Sequence, residues 1–139
     1  MTIRRLAALA CVGTFLLVGC ADRSTPQNKQ DKLCVEMGEI DGTITQMTAL
    51  AAAGGGANAA KFRDLREKLA DQWADVEKAS RDVTSFQITR VRETYNAFLQ
   101  TVNGVNDAAT MTARYVEIDR ASGNFAVARL DAYDALGCA

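Results

Sequence analysis

Apolar residues beyond position 32 recur at helical spacing. Leu33, Met37, Ile40, Ile44, Met47 and Ala51 are separated by four, three, four, three and four residues, which lines one face of an α-helix. Gly38 and Gly42 lie beside that stripe, each costing a helix about 1 kcal/mol relative to alanine. Four residues apart, they predict a place where a neighbouring element approaches closely. The run "AAAGGGAN" ends the stripe, because glycine accepts the positive φ of a helix terminus. No Gly-Lys-Ser/Thr sequence follows it, so it is not a phosphate loop. Asn58 is a candidate cap for the next helix.

A second stripe comprises Phe62, Leu65, Leu69, Trp73 and Val76, and a third Ile88, Val91, Tyr95, Phe98, Val102 and Val105. Continued at its own rhythm, the second stripe reaches Val83 and Phe86 and then lands on Arg90 and Glu93. The two are out of phase, which predicts a turn within "SRDVTS" at residues 80–85, where hydroxyl and Asp side chains suit a new helix start. One continuous helix across both is the competing reading. "NGVND", residues 103–107, marks the next turn and lacks the alternating acids of a calcium loop. A weaker fourth pattern holds Met111, Tyr115, Ile118, Phe125, Ala132 and Leu136, with "SGN" at 122–124 as a candidate kink or break. No strand signal competes.

Opposite its stripe, the second helix carries a dense run of charge. Arg63, Arg66, Glu67, Asp71 and Lys78 form a candidate interaction face, although a solvated helix surface is the simplest explanation of such a run. Pairs such as Asp64 and Lys68, four residues apart, add only a few tenths of a kcal/mol, roughly 0.2–0.5.

Composition removes several function classes. The chain has 139 residues and no histidine, so it lacks the usual base near neutral pH and the commonest metal ligand. Ser-His-Asp and Cys-His catalysis are excluded with it, as are most zinc sites. No carboxylate constellation stands apart from the solvated faces. The expectation is no catalytic residue, no metal and no cofactor. Sixteen basic residues face 17 acidic ones without a basic stripe, which argues against a nucleic-acid partner.

The first 20 residues are of another kind. Arg4 and Arg5 precede an uncharged apolar run at residues 6–18, short of the ~20 residues a bilayer span requires but suited to the core of a secretory signal. An uncleaved membrane anchor is the alternative. The run closes on Leu17, Val18, Gly19 and Cys20. This ending resembles the lipobox of bacterial lipoproteins, a family in which the chain is cleaved before the cysteine and its thiol receives a diacylglycerol. The resemblance implies cleavage between Gly19 and Cys20, fatty-acyl chains such as palmitate on Cys20, and attachment to the outer face of the cell membrane, or to the outer membrane in a two-membrane host. Two acyl chains on one sulfur satisfy the two-signal requirement for stable anchoring. An unrelated buried cysteine is the alternative. Residues 20–32 then read as lipidated cysteine and polar tether, with the only proline, Pro26, and residues 21–32 reach on the order of 30–40 Å if extended.

Loss of residues 1–19 leaves 120 residues, 14 basic and 17 acidic, net −3, enough for one domain. With Cys11 lost in the signal and Cys20 acylated, Cys34 and Cys138 remain, an even pair in an exported chain. A disulfide between them is expected, two buried thiols being the alternative. Short turns make successive helices antiparallel, and a disulfide holds its Cα atoms within about 7 Å, so an even helix count is required. The predicted fold is all-α: an antiparallel up-down four-helix bundle over residues 33–139, closed by one disulfide. Lipobox, polar tether, early cysteine, alanine-rich helices and near-terminal cysteine together resemble the layout of small exported lipoproteins of actinobacteria. That layout implies a cell-surface helical domain and no activity.

The expected function is therefore non-enzymatic: a lipid-anchored envelope protein that binds an unidentified envelope protein or ligand. Two alternatives are a carrier of a small apolar ligand, with Met37, Met47, Trp73 and Tyr95 around a pocket between helices, and a surface lipoprotein that blocks a receptor. The four carrier residues stand at core spacing, so ordinary packing also accounts for them.

Overall fold

The computed structural model describes residues 26–81, 83 and 86–138, among which five helices form: α1 (Pro26–Ala53), α2 (Gly56–Ser80), α3 (Phe86–Asn103), α4 (Ala108–Ala113) and α5 (Tyr115–Leu136). Among the described residues there is no strand, and no helix is long and apolar enough to cross a membrane. The lipobox and the cleavage position at Gly19 and Cys20 lie outside the described residues.

The stripes become the core. All six residues of the first are buried, as are all six of the third and Phe62, Leu69 and Val76 of the second, while Leu65 and Trp73 are half-buried against it. Each large side chain so buried contributes about 1.5–3 kcal/mol relative to an exposed one. α1 packs most extensively on α2 and also along α5, and α3 packs on α5. Polar side chains inside this core are partnered, as burial requires. Thr43 Oγ1 donates to Gln72 Oε1 at 2.7 Å between α1 and α2. The Tyr95 hydroxyl donates to the Leu69 carbonyl at 3.3 Å between α3 and α2.

Two turns fall where the pattern predicts them. α1 ends at Ala53, and Gly54 and Gly55 follow with φ of 65° and 88°, a region that penalises any side chain with a Cβ. α2 stops at Ser80 and α3 begins at Phe86, which excludes one continuous helix. Asn58 serves α2 differently from expectation. It stands inside the helix, whose cap is Gly55, and its Nδ2 donates to the Gly54 carbonyl at 2.6 Å. The triple glycine lets the helix start two residues before Asn58, so Asn58 binds the incoming chain instead of an orphan N–H.

Two expectations change and one open alternative is decided. α1 begins at Pro26, so residues 26–32, expected as tether, are helical, while the first buried side chain is Leu33. Proline fits the first turn of a helix, where its missing N–H has no partner to lose, and the Gln, Lys and Asp that follow are tolerated there. The chain does not break at 122–124, which are helical within α5. Ile118, Ala121 and Phe125 are buried on one face there, and that packing outweighs the roughly 1 kcal/mol penalty of one glycine. The break is at Arg114 instead, with φ −97° and ψ 2°, so the predicted fourth helix is two, α4 and α5.

Asp107 starts α4. Its Oδ1 accepts the Thr110 N–H at 2.8 Å while Thr110 Oγ1 accepts the Asp107 N–H at 3.1 Å, a reciprocal capping box. At the α4–α5 elbow Arg114 folds its guanidinium back, and Nη1 donates to the Thr101 carbonyl at 3.0 Å. That places it over Gly104, where a Cβ would lie 2.5 Å from Nη1. Of the two α1 glycines, Gly38 does meet a close neighbour, the Tyr133 hydroxyl 3.0 Å from the position of a Cβ, whereas Gly42 has nothing within 4 Å.

Candidate functional site

The charged side of α2 stands opposite Phe62, Leu69 and Val76. Arg63, Glu67, Asp71 and Lys78 are exposed on it. Arg66 is not part of that surface. It is half-buried, and its Nη1 donates to the carbonyls of Val102 and Val105 at 3.3 and 3.2 Å. Val102 is in the last turn of α3, its carbonyl also accepting the Val105 N–H at 3.0 Å, and Val105 follows the helix end, where carbonyls lack helical partners. Arg66 is thus a cross-helix cap, a role that the regular charge pattern of α2 conceals. Four of the five predicted residues are therefore exposed on this side of α2.

Glu77, which the charge pattern did not single out, turns toward α3. Arg92 donates to it through Nε and Nη2 at 2.7 and 3.0 Å, a two-pronged geometry that adds orientation to charge. The Arg92 hydrogen bond holds the Glu77 carboxyl below its ordinary value. On the α1 side Glu36 moves the other way: partial burial, then the charges of Asp75 and Glu39, push it up. Among the described residues no group of three or more Cys, Asp or Glu side chains is arranged to hold a metal ion.

The residues of the carrier alternative are packed. Met37, Met47 and Tyr95 are buried, and the Trp73 ring stacks on Tyr95 with centroids 3.9 Å apart and planes 9° from parallel. Burial also pushes the Tyr95 hydroxyl up to about 12. Three open grooves on the described surface have other linings. One of about 410 Å³ between α1 and α2 is bordered by Gln46, Leu50, Lys61 and Leu65. Another of about 410 Å³ between α3 and α5 includes Glu93, Thr94, Arg120 and Asn124. The third, about 450 Å³, lies beside Phe86, Arg90, Asp131 and Asp134.

Cys34 and Cys138 are joined, with Cα atoms 5.7 Å apart across 104 residues. Local sequence sets up the bond. Gly137 takes a left-handed φ of 68° after the last turn of α5, and the Cys138 N–H returns to the Tyr133 carbonyl at 3.0 Å. This αL ending turns Cys138 toward α1. The Tyr133 hydroxyl donates to the Cys34 carbonyl at 2.6 Å, and Arg129 lies over the Tyr133 ring, 4.7 Å from its centroid. Arg129 Nε is 3.2 Å from Asp41 Oδ1 but is not aligned for a hydrogen bond, so that ion pair acts through charge. Family models, curated proteins and solved structures contain no match to this chain.

Proposed function

We propose that this chain is an exported lipoprotein whose Cys20 carries the lipid and whose helical domain acts by binding, without turnover, at the outer face of the cell membrane. The observation that carries the reading is the Cys34–Cys138 disulfide. Such bonds persist in oxidising compartments and are rare in reducing ones. It occurs in a chain whose first 20 residues have the layout of a lipoprotein signal. In this reading the four longer helices run up and down, α4 forms an elbow before α5, and the bridge joins the first helix to the end of the last.

The partner is an envelope protein or ligand, and the docking surface is the outer side of α2 with Arg63, Glu67, Asp71 and Lys78. Both signs of charge are present, so the surface suits a partner of mixed charge and not a nucleic acid. Exposed charges are screened beyond about 10 Å at 0.1 M salt, so capture weakens as salt rises.

The test is Cys20→Ala with wild type beside it, expressed in a lipoprotein-processing host. Wild type partitions into the detergent phase and the variant keeps its signal and stays unacylated. An unacylated wild-type chain overturns the proposal. Joint charge reversal at Arg63, Glu67, Asp71 and Lys78 then lowers partner capture while the circular dichroism spectrum stays the same. Capture indifferent to those reversals moves the site off α2.

A further inference from the structure

The most exposed large apolar side chain among the described residues is Phe86, 78% exposed at the first position of α3. Its place in the fold gives that exposure a direction. Phe86 borders the groove that also holds Asp134 and Ala135, near the end of α5. Cys138 follows within a turn and is bonded to Cys34 of α1. Phe86 therefore stands at the end of the domain from which α1 leads back to Pro26. From Cys34 to Pro26 that is eight residues of helix, about 12 Å at 1.5 Å per residue.

The chain before Pro26 limits where this end can go. On the reading of Cys20 as the lipidated residue, six residue steps separate it from Pro26. At no more than about 3.6 Å each, they span at most about 22 Å. The opposite end of α1 is about 40 Å farther along the helix. The lipid thus holds one end of the domain close to the bilayer, and that end presents a phenylalanine ring to solvent.

We infer that the end of the domain bearing Phe86 rests against the bilayer that holds the Cys20 lipid, with the Phe86 ring as its apolar contact. An aromatic ring transfers favourably from water to the boundary between headgroups and acyl chains. One ring is a weak anchor, but a short linker raises its effective concentration at the membrane to the millimolar range, roughly. Charge adds little, because exposed Lys32 and Arg81 share this end with Asp31 and Asp134, and Arg90 is paired with Asp131 at 3.1 Å. The contact is accordingly insensitive to salt.

The experiment uses the full acylated chain in phosphatidylethanolamine–phosphatidylglycerol vesicles whose acyl chains carry bromine, a contact quencher of indole fluorescence. Wild type, with Trp73 stacked on Tyr95 in the domain, sets the baseline. Phe86→Trp and Val127→Trp add an indole at the proposed contact and on the exposed side of α5, 11 residues before Cys138. The added emission of Phe86→Trp is quenched by roughly half or more, as for a ring at the acyl boundary, and that of Val127→Trp is not, at low and high salt alike. Equal quenching of both, quenching of Val127→Trp alone, or no quenching in an acylated sample overturns the inference and leaves the lipoprotein reading standing. An intact mass without the diacylglycerol overturns both.

Discussion

α2 and α5 are of similar length, and each turns one face to the core and one to solvent, but they do so with opposite materials. α2 buries Phe62, Leu69 and Val76 and covers its outside with charge. α5 buries three alanines, Ala121, Ala128 and Ala132, beside Ile118 and Phe125, and leaves Val116, Val127 and Leu130 exposed. Large inner residues and charged outer ones hold α2 by area removed from water. Small inner residues let α5 approach α1 and α3 closely, at the cost of buried apolar area per turn. Added fastenings stand on α5: the disulfide after its last turn, the Tyr133 bond to the Cys34 carbonyl, and the Arg129–Asp41 pair. The helix with the thinner apolar face carries the covalent tie, whereas α2 is tied by hydrogen bonds and an ion pair: Gln72 to Thr43, Arg66 to the end of α3, and Glu77 to Arg92.

The largest effect expected from breaking this contrast is loss of the disulfide. The Cys34→Ala, Cys138→Ala double variant loses about 4–5 kcal/mol on chain-entropy grounds, and measured losses are often smaller. At roughly 4 °C or more per kcal/mol, the melting temperature falls by well over ten degrees. Hydrogen exchange locates the loss: the last turns of α5 lose protection first, and the centre of α2 keeps its own until global unfolding. Uniform loss along both helices would show that α5 needs no tie.

Next comes the close approach. Ala128→Leu overfills the seam of α5 and lowers stability by about 1–3 kcal/mol, measured by urea unfolding. Ala74→Leu, on the exposed side of α2, changes it by less than about 0.5 kcal/mol. A neutral Ala128→Leu would mean that the alanine face is loosely packed.

Smaller again is the difference between two arginines of α2. Arg66→Ala leaves the carbonyls of Val102 and Val105 without its guanidinium and costs about 1–2 kcal/mol, the range of hydrogen bonds to charged donors in a partly exposed site. Arg63→Ala is neutral within about 0.5 kcal/mol. Equal effects would return Arg66 to the solvated face.

The smallest effects are those of pH. The Glu77 carboxyl is lowered by its Arg92 hydrogen bond from a starting value of 4.5. Its contribution is present above 4.5 and is lost as pH falls through the lower folded-state value. Glu36 is raised from 4.5 by burial and neighbouring acids. The unfolded chain releases that proton first, so stability declines as pH rises from 4.5 through the folded-state value. Glu36→Gln consequently stabilises the domain slightly at pH 7 and not at pH 4, whereas Glu77→Gln destabilises it at pH 7 and not at strongly acidic pH. Thermal melts at pH 7 distinguish the pair by sign, and melts at pH 4 and at strongly acidic pH show the respective effects vanish.

The same contrast explains what could be read from the residue pattern. Stripes of Leu, Ile, Met, Phe and Val differ sharply from charged neighbours, so the core faces of α1, α2 and α3 were legible, as was the turn between Ser80 and Phe86. Alanine gives no such contrast. Ala121 and Ala128 were therefore invisible as core, and whether 122–124 kinks or breaks the helix stayed open, although packing carries α5 through it. The elbow at Arg114 had no local sign, and the guanidinium contact to Thr101 that accompanies it spans 13 residues. At the candidate surface, exposure of Arg63, Glu67, Asp71 and Lys78 followed from helical phase. Phase alone could not show that Arg66, with its long side chain, curls over the end of α3. The Cys34–Cys138 bond was legible because only two cysteines remained once Cys11 and Cys20 were assigned to the signal and the lipid.

The most direct test of the account is the intact mass of the chain extracted from the membranes of a lipoprotein-processing host, without reductant. The account predicts a polypeptide beginning at Cys20, heavier by its acyl groups and lighter by the two hydrogens of one disulfide, with peptide mapping linking Cys34 to Cys138. A chain that begins elsewhere, carries no lipid on Cys20, or has free thiols at Cys34 and Cys138 would contradict it.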